Sequence, residues 1–114
     1  MVATRLETLA ETYKSAIDKN NKMVSYCHRR KISMTDPRMI QRRGDLLYEI
    51  YIAKHRYLRL FHGWRYRSLS KTYNKALLAL HLAPEDEDKS TVQQLREQLR
   101  VANQAMYGPL QKLV

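Results

Sequence analysis

Between His28 and Lys75 the chain carries thirteen of its 21 Lys and Arg residues and three acids. The net charge of +10 therefore sits in less than half of the 114 residues, while the segments on either side are close to neutral. On a helical wheel Arg38, Arg42, Arg56, Arg67 and Lys71 fall together, with Arg59 at the edge of the group. A row of long cations on one helix face is suited to phosphate, because each contact releases a counterion. Arg29, Arg30 and Lys31 add a second basic run, which also complements the negative end of a helix dipole. Asp45 and Glu49 interrupt the row and read as intrahelical partners of the neighbouring arginines. A solvated, merely solubilising face is the competing explanation of the same charges.

Aromatic residues are interleaved with these cations. The chain has eight Tyr, one Trp and one Phe, and residues 61–67 read Phe-His-Gly-Trp-Arg-Tyr-Arg. Tyr48 and Tyr66 lie off the apolar stripe and, with Trp64, are candidates for stacking on bases. Tyr51 and Tyr57 face the stripe and read as packing residues. The same mixture of Tyr and Arg also suits a protein–protein interface.

Signatures of catalysis are poor. His28, His55, His62 and His81 are widely spaced, with no carboxylate at metal-ligand spacing, and the single Cys27 excludes an internal disulfide and argues against a Cys-based zinc site. There is no Gly-rich phosphate loop and no nucleophile elbow. The expectation is a binding protein with no catalytic residue, no metal and no cofactor. No apolar run is long enough for a membrane span, and residues 1–7 lack the pattern of a signal peptide. A cytoplasmic or nucleoid/nuclear protein is expected, not a secreted one.

The elements that position these residues read as helices throughout one domain, 1–114. A helix over about 4–29 follows from Leu6, Leu9, Ala10, Tyr13, Ala16, Ile17, Met23, Val24 and Cys27 at spacings of three and four. Thr4 with Glu7 forms a candidate capping box. Thr35-Asp36-Pro37 is a helix start. From there Leu47, Leu58, Leu69 and Leu80 recur every eleven residues, as do Met39, Ile50 and Phe61. That period matches an almost straight helix, so the spacing predicts one helix over about 36–82, roughly 70 Å long. A break near Gly63 is the alternative, and it would give four helices in two hairpins. Ala83-Pro84 ends the run, residues 83–90 form an acidic loop, and a last helix spans about 91–107. It starts at Ser90 or Thr91 with Gln93 or Gln94 as capping partner and stops at Gly108-Pro109, leaving a tail with Leu110, Leu113 and Val114. The fold class is all-α: a long antiparallel hairpin plus a C-terminal helix, an elongated three-helix bundle. Such a slender unit leaves stripe surface open, so a homodimer is expected.

A second charged row, Arg43, Lys54 and Arg65, falls inside the stripe. Unpaired burial there would be prohibitive, so the row either snorkels to the surface or pairs with acids of the first helix. Glu7 with Arg65 and Asp18 with Lys54 share one register, although the connection alone would set the hairpin about a turn and a half away from it.

Together these features predict a small basic protein that contacts the phosphate backbone of DNA or RNA with weak sequence specificity. The alternative is a helical adaptor or assembly factor that binds another protein. A peripheral binder of anionic membranes fits less well, because the basic helix offers no contiguous apolar face free of core duty.

Overall fold

In the computed structural model, which describes the backbone of residues 2–113 and the side chains of 5–113, the chain is all helical, with no strand among the described residues. Four α-helices follow in order: α1 (Val2–Arg30), α2 (Pro37–His62), α3 (Tyr66–His81) and α4 (Lys89–Gln111). A 3-10 turn, Gly63–Arg65, separates α2 from α3. Helices α1 and α2 pack as one antiparallel hairpin and α3 and α4 as another, and the second half of α4 closes onto α2. No helix among the described residues is long and apolar enough to cross a membrane.

The uninterrupted helix over 36–82 does not form. Gly63 adopts φ +59° and ψ −130°, a conformation that a residue with a Cβ rarely takes. The chain turns there, and the longest dimension of the molecule is 46 Å, well short of a ~70 Å rod. The molecule is flat, 46 × 44 × 20 Å, with a radius of gyration of 17.6 Å, against about 13 Å for a compact domain of similar length. The eleven-residue stripe consequently serves no single surface. Leu58 is fully buried, Leu69 and Leu80 are half-buried, and Leu47 and Phe61 are exposed. Tyr57 is core, but Tyr51, expected beside it, is 53% exposed. Leu46, Ala53 and Tyr57 fill one side of α2. Leu58, about 100° further round the helix than Tyr57, joins Ala53 and Tyr57 in one cluster with Met106 and Leu110 of α4.

Local signals explain most helix ends. Asp36 caps α2, its Oδ1 accepting from the Arg38 amide at 2.9 Å, and Pro37 occupies the first turn. Helix α1 ends in a Schellman arrangement: the Ile32 amide donates to the Cys27 carbonyl and the Lys31 amide to that of His28, with Lys31 at φ 55°. Two expectations need correction. Thr4 lies within α1, so it is not its N-cap, and its side chain is outside the described residues. At the other terminus α4 begins at Lys89, before Ser90, and continues through Gly108 and Pro109 to Gln111. Packing holds that last turn, because Met106, Gly108 and Leu110 are all buried. Val114 lies outside the described residues.

The two interior glycines make the turn testable. Gly44 is helical, and a Cβ added there meets nothing within 4 Å. Gly44→Ala should therefore stabilise by about 1 kcal/mol. Gly63→Ala forces a left-handed residue and should destabilise by about 1–2 kcal/mol, lowering the thermal midpoint by roughly 4–8 °C per kcal/mol. If both variants melt above the wild type, the turn at Gly63 is wrong.

Candidate nucleic-acid interface

The register of the first hairpin decides which cations meet. Cys27 Sγ lies 3.3 Å from Met39 Sδ, and Lys19 Nζ bonds Glu49 Oε1 at 2.9 Å. Facing residue numbers thus total about 66 to 68, as the short connection dictates. The pairs Glu7–Arg65 and Asp18–Lys54, which need a total of 72, do not form. Asp18 instead pairs with Lys22 one turn along its own helix, at 3.0 Å. Glu49 is likewise taken by Lys19 across the hairpin, not by an arginine of α2. Arg43 and Arg65 reach solvent, while Lys54 is half-buried.

On α2, Arg38, Arg42 and Arg56 are exposed and lie within about 40° of one another round the helix. Arg38 is partly neutralised by Asp36 at 3.6 Å. Arg67 and Lys71 are exposed on α3, four residues apart, but the turn at Gly63 removes the straight alignment with the α2 row that a continuous helix would give. Arg29, Arg30 and Lys31 are exposed at the far end of the first hairpin, with the Arg30 guanidinium 5.7 Å from the Tyr26 ring centre.

One place gathers cations from two helices. Arg5 of α1 and Arg56 and Arg59 of α2 line an open cleft of about 570 Å³, floored by Leu9 and Leu60. None of the three makes an ion pair among the described residues, and no carboxylate lines the cleft. Arg59 is steadied from behind by the Tyr66 ring, whose centre lies 5.5 Å from its guanidinium carbon. Arg5 was not among the cations picked out in the sequence. The register set by the connection places it opposite residue 61, within a turn of Arg59, so the signal was there.

The three stacking candidates part company. Trp64 is 90% exposed in the 3-10 turn, and Tyr48 is 66% exposed on α2. Tyr66 is half-buried and engaged: its hydroxyl lies 2.6 Å from His55 Nδ1 and its ring supports Arg59. It positions a cation and offers no open face like that of Trp64. Among the described residues no three His, Cys, Asp or Glu side chains come together to hold a metal.

His55 links this region to the junction of the hairpins. Its ring contacts Tyr51 on α2, Tyr66 on α3 and Tyr107 on α4. Burial, then the charges of Lys54 and Arg59, hold its pKa below the ordinary 6.5. The fold thus favours neutral imidazole. Stability from this residue is fully present above about 6.5 and is lost as pH falls through that value towards the folded pKa. The thermal midpoint should drop between about pH 7.5 and 5.5, and His55→Gln should flatten that drop. Equal pH slopes for the two proteins would contradict it.

No family model matches the sequence, and neither a curated protein nor a solved structure is significantly similar to it.

Proposed function

We propose that the protein binds nucleic acid through phosphate contacts centred on the Arg5, Arg56 and Arg59 cleft, with weak sequence specificity. The observation that carries the reading is the meeting of three guanidiniums from two helices with no carboxylate among them. Guanidinium presents paired donors to phosphate oxygens and is more weakly hydrated than ammonium. Arg42 lies on the same side of α2 as Arg56, and Arg67 and Lys71 are further exposed cations on α3. Trp64, in the turn that follows α2, supplies an exposed ring. Nothing in this surface resembles a recognition helix with a partner helix and tight turn, so contacts to the backbone dominate.

A second reading is a helical adaptor that binds a protein or a second copy of itself. The observation favouring it is the exposure of Ile40, Leu47 and Tyr51 on α2, large side chains for which water is an unfavourable neighbour. Light scattering over a range of protein concentrations tests the homodimer, and a constant monomer mass removes it.

Affinity for duplex DNA, single-stranded DNA and RNA, measured from about 50 to 300 mM salt, tests the leading reading. The logarithm of the binding constant should fall linearly with that of salt, by about 0.7–0.9 per phosphate contact. Arg56→Glu and Arg59→Glu should each weaken binding about tenfold or more and lower the salt slope. Arg96→Glu on α4 changes the net charge equally and should leave affinity within about twofold. No binding at low salt, or equal losses for all three reversals, would overturn it.

A further inference from the structure

A second cleft, of about 610 Å³, opens where the two hairpins meet. Tyr13, Lys54, Tyr73, Asn103, Tyr107 and Gln111 line it, drawn from all four helices, and no acid is among the lining residues. Its volume lies within the roughly 300–1,000 Å³ usual for small-molecule sites. Lys54 is the unusual member. It is half-buried, makes no ion pair among the described residues, and rests near the rings of Tyr107 and Tyr51, 5.1 and 5.9 Å from their centres. Burial pushes its pKa down, so keeping it charged here costs stability that a methionine would not. Cation–π contacts offset part of that cost. An anion in the cleft would offset more.

The other lining groups narrow the ligand. Tyr73 and Tyr107 meet edge to face, with ring centres 5.0 Å apart and planes at 84°. Two carboxamides, Asn103 and Gln111, each offer a donor and an acceptor side by side, the pattern that reads the edge of a nucleobase. Tyrosine rings give a flat base a surface to lie against. Resting on the nucleic-acid reading above, we infer that this cleft holds one unstacked nucleotide, its phosphate at Lys54 Nζ and its base among the tyrosine rings. A duplex cannot present a base this way without opening, so the cleft confers preference for single strands.

The nucleotide can belong to a strand or be free, and the experiment separates the two. Wild type, Lys54→Met and Asn103→Ala are titrated with oligo(dT), oligo(U), a short duplex DNA, and UMP or AMP, with NMR observation of the Asn and Gln side-chain amides. Lys54→Met should weaken single-strand binding about tenfold or more while leaving duplex binding within about twofold. Its thermal midpoint should equal or exceed that of the wild type, which excludes misfolding as the cause. Asn103→Ala should weaken single-strand binding in the same selective way. Shifts of the Asn103 and Gln111 amides with UMP or AMP, without strand binding, support the cleft with a free nucleotide as its ligand and count against the wider nucleic-acid reading. Equal losses for single strand and duplex in Lys54→Met, or no loss and no amide shift, overturn the cleft proposal. Duplex binding that still depends on Arg56 and Arg59 would then leave the arginine reading standing.

Discussion

The shape of the molecule depends on one backbone conformation. At Gly63 the chain takes a positive φ that closes α2 and redirects the polypeptide into α3. Immediately before it, His62 donates from Nε2 to the Met106 carbonyl of α4 at 2.7 Å. The carbonyl can only accept, so this nitrogen carries the proton. The turn and the hydrogen bond together bring α4 back against α2, where Leu58 and Met106 are buried completely. Without that return the last turn of α4 would have nothing to pack on, and Gly108-Pro109 would end the helix as their types suggest. The two hairpins touch at one end only, which leaves the flat outline and the cleft between them.

Much of the fold was legible because its signals are local. The Asp36-Pro37 start, the stop at Ala83-Pro84 and the first helix's apolar spacing all act within a few residues. Gly44 and Gly63, by contrast, look alike in sequence. One sits in a helix and the other breaks it, and tertiary packing makes the difference. Of the two registers the sequence offers, the one set by the connection prevails over the one that would pair the charges, for an energetic reason. Exposed ion pairs contribute only about 0–1 kcal/mol each, so Glu7 and Asp18 could not draw the helices away from the alignment that the short connection and the packing of Ala10, Tyr13, Ala53 and Tyr57 impose. Of the candidate site, the arginines of α2 could be read from wheel positions. The joining of Arg5 to them required the register, and the surroundings of Lys54 required the angle between hairpins.

Acidic side chains are distributed so that the arginine cleft stays positive. Glu11 pairs with Lys14, Asp18 with Lys22, Glu49 with Lys19 and Glu97 with Arg100. Three of these four pairs neutralise lysines of α1, and none includes Arg5, Arg56 or Arg59, although Asp45 and Glu49 border another groove with Arg56. The net charge of +10 is therefore a poor guide to what a partner would feel. The positive surface is set by which cations the acids leave alone, and on α2 these include Arg56 and Arg59.

Lys54 and His55 are adjacent in sequence but meet different costs. Both are drawn by the packing of α2 into the aromatic junction of the hairpins, and both are held by rings and a hydroxyl instead of carboxylates. For His55 the fold can avoid the cost by leaving the imidazole neutral, as its lowered pKa indicates. Burial lowers the Lys54 pKa from its ordinary 10.5 as well, so whatever charge the ammonium keeps there is held against desolvation. An apolar residue would pack at position 54 without that desolvation cost. The junction is thus built with a cation whose compensation within the chain is incomplete, where side chains of four helices line an open volume.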